Sequence, residues 1–329
     1  MIKYMPKQFI STIDPHDNKQ LGINGEEKKN LLKKYTKSLS NKNINDSLLY
    51  SINLHLSGNF DQIYSKIFNY YINEINITCP LGIIFLNRFN KYYHNKYDYK
   101  IKKKHPIIIV NDQVIRNFVC FFTTLILSSH QNKLLKLPKI DTSDFNLSNK
   151  KGSLVSTNLN LVTRFIHKND PKEIIVPLSE ICNYLKQTLI NNREHKIIYW
   201  ISWLFEYEKT YHKGNLIVNM RNINNVDSKY LNDFVWILWD IIKYYSSDNN
   251  KKLINGLFEL YTINYNRGSK KSKANIIIYA ILLIVNPDPK IKYPVEPIQN
   301  EIYSKCAINS LKSNNYYLKL LQTSILNKI

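Results

Sequence analysis

Glycine is scarce in this chain, at 8 of 329 residues, and proline numbers only 11. Sandwiches and barrels need many tight turns, which these residues supply, so the shortage argues for a helix-rich protein. Cysteine is limited to Cys79, Cys120, Cys182 and Cys306, far apart and without a C-x-x-C pair. Three of them fall in apolar, helical-looking surroundings, where a free thiol acts as a small hydrophobe, and a reducing compartment is the natural reading. Long apolar runs are also missing. A spanning helix needs about 20 apolar residues, whereas the run from Phe234 meets Asp240, and Ala274 to Val285 ends at Asn286-Pro287. The opening "MIKYMPKQFI" lacks the apolar stretch of a secretory signal. The expectation is an intracellular, cytoplasmic protein with no membrane span.

Acidic residues are few. Asp plus Glu is 25 against 46 for Lys plus Arg, leaving a formal charge of +21. Such an excess points to a polyanionic partner. Arginine, however, occurs only at Arg88, Arg116, Arg164, Arg193, Arg221 and Arg267. Lysine, asparagine, isoleucine and tyrosine are enriched together, as A/T-rich coding produces, so only part of the charge informs about partners.

Helical periodicity fills most of the chain. "FDQIYSKIFNYYINEI" puts Phe60, Ile63, Tyr64, Ile67, Tyr70 and Tyr71 on one stripe, and a preceding helix should stop at Ser57-Gly58. Pro80 suits a first helical turn, and "NDQVIRNFVCFFTTLILSS" reads as a buried helix. Short β-branched runs at Ile107–Val110, Glu173–Val176 and Leu216–Val218 leave room for strands. The fold class expected is mainly α: a multi-helix bundle or irregular helical array, with at most a small accessory β-ribbon. The polar, aperiodic stretch "DTSDFNLSNKKGSLVST" marks a boundary. The organisation expected is an N-terminal arm (1–25), a helical subdomain (26–140), an exposed linker (141–157) and a second helical subdomain (158–329).

"FVWILWDIIKYY", residues 234–245, could be a platform for stacking bases or the middle of a bundle. Val235, Leu238, Trp239 and Ile242 share one helical face, while Phe234, Ile237 and Ile241 share another. A helix apolar on two sides belongs in a core. Asp240 is expected to bond an indole N–H or cap a neighbour. Trp200 and Trp203 recur 36 residues later as Trp236 and Trp239, a spacing shared by helical repeats and by unrelated core helices.

Chemistry is hard to find. The phosphate-loop, dinucleotide, zincin and nucleophile-elbow motifs are absent, and the histidines have no metal-ligand spacing. Glu206 and Glu208 point to different helix faces, and Glu194 and His195 read as exposed first-turn residues. No catalytic, cofactor or metal site is expected. The richest segment is "KYYHNKYDYKIKKKH", where Lys91, Lys96, Lys100, Lys102, Lys103 and Lys104 interleave with Tyr92, Tyr93, Tyr97 and Tyr99. Lysines neutralise phosphates and exposed tyrosines stack on unpaired bases; the bland alternative is a solvated connector. "NRGSKKSK" adds Arg267, Lys270, Lys271 and Lys273 as a second basic loop suited to phosphate contact.

With "HLSGNFDQIYSKIF" at 55–68, "FVWILWDII" at 234–242 and "IYSK" at 302–305, the chain resembles uncharacterised helical proteins encoded by nucleocytoplasmic large DNA (giant) viruses. The resemblance implies work in an infected cell's cytoplasm or in a virion, and carries no active-site residue. The function expected is a non-enzymatic basic accessory protein associating with nucleic acid in viral replication, transcription or packaging. The alternatives are a protein–protein scaffold or virion structural component, and an enzyme whose site converges from distant residues.

Overall fold

The computed structural model describes residues 21–22, 25–97, 106–148, 152, 154–156, 159–187 and 190–286. The expected C-terminal helices and most of the N-terminal arm lie outside them. Among the described residues there are twelve α-helices and no strand, so the mainly α expectation holds. The described residues divide after Asn132 into two compact units.

The first unit contains α1 (Lys28–Ser40), α2 (Ile44–Leu56), α3 (Phe60–Tyr70), α4 (Leu81–Lys96), α5 (Pro106–Val110) and α6 (Gln113–Ser128). Its helix ends follow local chemistry. Asn43 caps α2 by accepting the Asp46 N–H. Gly58, at φ 78°, ends the same helix where the sequence predicts, because glycine adopts the left-handed conformation without strain. Pro80 stands one position ahead of α4 rather than inside it. Gly82 is required by packing, since a Cβ there would lie 2.5 Å from the Tyr71 ring. Leu48, Ile52 and Leu56 of α2 meet Val110 and Cys120 in one apolar cluster. Phe89 and Phe118 stack with ring centroids 3.7 Å apart, tying α4 to α6. Ile107–Val110 is helix, not strand: Pro106 starts a single turn whose inner side is buried.

The second unit contains α7 (Asn160–Thr163), α8 (Ile175–Lys186), α9 (Arg193–His212), α10 (Val235–Tyr245), α11 (Asp248–Thr262) and α12 (Ala274–Val285). Trp236 and Trp239 are fully buried and Trp203 is nearly so, which gives the core reading of α10. The Trp236 indole donates to the Tyr230 carbonyl at 2.7 Å. Asp240 takes neither expected role; its carboxylate faces the Arg221 Nε at 3.9 Å. Between the two tryptophan pairs runs a ribbon without helix, residues 216–227. Two isolated antiparallel bridges, Leu21 with Glu27 and Ile217 with Asp233, are all that remains of the expected β-ribbon among the described residues. Arg193 fastens two helix ends, donating to the Gln187 carbonyl at 2.8 Å and the Val285 carbonyl at 2.5 Å.

The 141–157 segment is not a boundary between units. The second unit begins at Lys133, and the described residues between 133 and 156 form a strap bonded to α8 and α9. Ser202 donates to the Pro138 carbonyl at 2.6 Å, and the Trp203 indole to the Asp144 carbonyl at 2.9 Å. Phe145 sets its ring edge-on against Trp203, Tyr207 and Tyr211. Buried Glu180 accepts the N–H groups of Val155 and Ser156.

Candidate functional site

The two basic segments singled out by sequence have structural employment. At the end of α4, Tyr92 and Tyr97 each place a hydroxyl 2.5 Å from Asp112 Oδ2, and Lys96 Nζ lies 2.7 Å from the same oxygen. The other oxygen, Oδ1, caps α6 by accepting from Val114 and Ile115. Burial pushes the Asp112 carboxyl up, but the bonds from Lys96, Tyr92 and Tyr97 overcome it and hold the group down at about 2. Tyr93 is buried and donates to Asp61 Oδ1 at 2.9 Å. Tyr93 and Tyr97 therefore face the core rather than bases, and Tyr92 is half-buried. Lys91 is exposed. Tyr99, Lys100, Lys102, Lys103 and Lys104 lie outside the described residues.

The 266–273 loop closes the second unit. Lys270 is 2% exposed, its ammonium 2.5 Å from Glu208 Oε1 and 2.8 Å from Asp233 Oδ1. Tyr265 donates to Asp233 Oδ2 at 2.9 Å, and Glu208 Oε1 also accepts the Leu216 N–H. Lys271 pairs with Glu206 on the surface. Lys273 bonds the carbonyls of Tyr261 and Ile263 at the end of α11, and burial pushes its ammonium down to about 8. Arg267 donates to Asn232 Oδ1 and to the Lys229 carbonyl. Lys270 and Lys273 are thus interior fasteners, not free phosphate contacts. The two glutamates do point apart as expected, with Glu206 outward and Glu208 inward.

Two other titratable clusters are structural as well. Arg221 donates to Asp170 Oδ2 at 2.8 Å, to the Phe165 carbonyl and to His167 Nδ1, which tethers the ribbon to the turn after α7. His55 is wholly buried, and burial first, then the nearby Arg116 charge, push its imidazole down to about 3, so it stays neutral while bonded to the Ile109 carbonyl. Among the described residues no three His, Cys, Asp or Glu side chains could hold a metal ion. No helix among them is long and apolar enough to cross a membrane.

Sequence reasoning passed over three surface features. The outer face of α1 exposes Lys29, Lys33 and Lys37 at successive four-residue steps, about 6 Å apart along the axis. They have no ion pair among the described residues, whereas neighbouring Lys34 pairs with Glu26 at 2.7 Å. Lys37 also suits the negative end of the helix dipole. In the same unit, Phe85, Phe89, Val114, Phe118 and Phe121 line an open apolar groove of about 380 Å³ between α4 and α6. In the second unit, the strap, α8 and α9 enclose a cleft of about 440 Å³, with Tyr184, Tyr199 and Trp200 in its walls and Lys136, His195 and Lys196 at its rim. The signal for the first feature was available in "KKNLLKKYTK"; the cleft joins segments about 60 residues apart and had none.

Comparison of the chain with known protein families, characterised proteins and solved structures finds no match.

Proposed function

We propose that this chain is a non-enzymatic basic protein that associates with nucleic acid, and that the outer face of α1 makes the contact. The observation that carries the reading is the stripe Lys29, Lys33, Lys37. Like charges at i, i+4 cost a helix about 0.2–0.5 kcal/mol per pair, and α1 itself carries no acidic residue to offset it. Phosphates would offset it. Lysines at this spacing position a backbone and read no sequence, so binding should be general rather than site-specific. The resemblance to the giant-virus proteins would place such work in replication, transcription or packaging.

The test is a salt titration of fluorescence anisotropy on duplex DNA. Changing Lys29, Lys33 and Lys37 to alanine should flatten the log–log slope by about two to three, at about 0.7–0.9 per lost phosphate contact. Melting should be unchanged or slightly raised, because mutual repulsion is removed. An unaltered slope sinks the reading.

The scaffold alternative draws on a different observation, the apolar groove between α4 and α6. It requires association with a protein chain that strengthens, rather than weakens, as salt rises.

A further inference from the structure

We infer that the cleft on α9 is a binding site for a nucleoside phosphate, with the base against Tyr199, which Trp200 backs, and the phosphate on Lys136 and Lys196. The inference goes beyond the α1 reading and stands without it.

The size is right for a small molecule. At about 440 Å³ the cleft falls within the range of about 300–1,000 Å³ typical of ligand sites. The walls are apolar and aromatic: Tyr199 is partly exposed, Tyr184 and Trp200 are buried behind it at 4% and 5% exposed, and the Tyr199 and Trp200 rings meet at 80°. Flat π-systems of this kind accept the face or edge of a base.

The rim supplies the opposite chemistry. Lys136, from the strap, and Lys196, from the first turns of α9, are exposed and have no ion pair among the described residues. No lining residue is acidic. Two carboxylates bond lining residues rather than the lysines: Glu194 faces His195 Nδ1 at 3.4 Å, and Asp144 accepts the Tyr199 hydroxyl at 3.2 Å. A purely apolar ligand would leave two ammoniums idle, and a bare phosphate would leave the aromatic wall idle. A ligand carrying both an aromatic ring and a phosphate uses both halves.

Such a group comes from a free nucleotide or from an unpaired residue of a strand. The experiment follows intrinsic tryptophan fluorescence, because Trp203, Trp236 and Trp239 are at most 1% exposed and Trp200 alone lines the cleft. Titrants are adenosine monophosphate, adenosine, inorganic phosphate and a short deoxyadenosine oligonucleotide. Adenosine monophosphate or the oligonucleotide should give a saturable change, with adenosine and phosphate at least about tenfold weaker, the worth of one charge-assisted bond. Tighter binding of the oligonucleotide assigns the group to a strand; tighter binding of the monophosphate assigns it to a free nucleotide. Lys136→Ala with Lys196→Ala should weaken either by about tenfold or more without shifting the melting temperature, since both side chains are exposed. Trp200→Phe should remove the signal while equilibrium dialysis still detects the ligand. Failure of both nucleotide probes to saturate, or saturation indifferent to the double lysine variant, overturns the inference. The α1 triple variant must keep this binding, and the cleft variant must keep the duplex salt slope, so the two proposals fail separately.

Discussion

The ammonium of Lys270 lies 2.5 Å from Oε1 of Glu208, with side-chain exposures of 3% and 5%. Asp233, 1% exposed, supplies a second carboxylate at 2.8 Å. Lys270→Ala strands two buried carboxylates, and a broken buried ion pair typically costs about 3–5 kcal/mol. Urea unfolding should show that loss. Neutralising the whole group, with Lys270→Met, Glu208→Gln and Asp233→Asn, should recover most of it. A single Lys270→Ala variant unfolding at the wild-type urea midpoint contradicts the site.

Asp112 gives the fold a defined acid response. Its folded-state value of about 2 lies below the ordinary 3.8. The ionised carboxylate therefore stabilises the first unit above about pH 4, and the contribution is lost as pH falls through about 2. Asp112→Asn keeps an N-cap but drops the charge. Wild type should exceed this variant in stability at pH 6, and the gap should close between about pH 4 and pH 2. A gap that is constant across that window means Asp112 is not held down as described.

The two fully buried tryptophans of α10 should separate on substitution. Either change to alanine should cost about 3–5 kcal/mol. Replacement by phenylalanine should not be equal. Trp236→Phe removes the bond to the Tyr230 carbonyl, while the Trp239 indole N–H has no partner among the described residues. Trp236→Phe should be the more destabilising by about 1 kcal/mol, measured by thermal unfolding. Loss of ligand binding at wild-type stability would return the stacking platform to consideration.

Tyr97→Phe distinguishes a fastening role from a stacking one without removing the ring. The lost hydroxyl bond to an ionised carboxylate should lower stability by about 1–3 kcal/mol and leave single-strand affinity unchanged. Unchanged stability would put that hydroxyl in water.

Much of the fold was legible because periodicity reports burial directly. The end of α2 at Gly58, the buried α6 and the tryptophan core of α10 all follow from residues within a few turns of one another. What failed depended on distant partners. The 141–157 segment looks like a linker because its polarity is local, while the anchors of Asp144 and Ser156, Trp203 and Glu180, lie tens of residues away. The 266–273 loop looks like a phosphate grip because a lysine's spelling does not reveal the carboxylate it meets. Lys270 finds its partners 62 and 37 residues earlier. Ile107–Val110 has strand composition but forms a helical turn, because Pro106 fixes its start and burial of Ile109 and Val110 decides the rest.

The distances along the chain also set an order of events during synthesis. A nascent chain emerges with Glu208 and Asp233 long before Lys270, and with Arg193 long before the Val285 carbonyl it will bind. Until Lys270 leaves the ribosome, the second unit holds two carboxylates without this counter-ion, and until Val285 leaves it, an arginine with one acceptor missing. Its closure is therefore late, while the helices of the first unit can already pack. Ribosome-stalled chains exposing residues 1–262 should show a protease-resistant first unit and an open second one, and chains exposed through residue 286 should protect both.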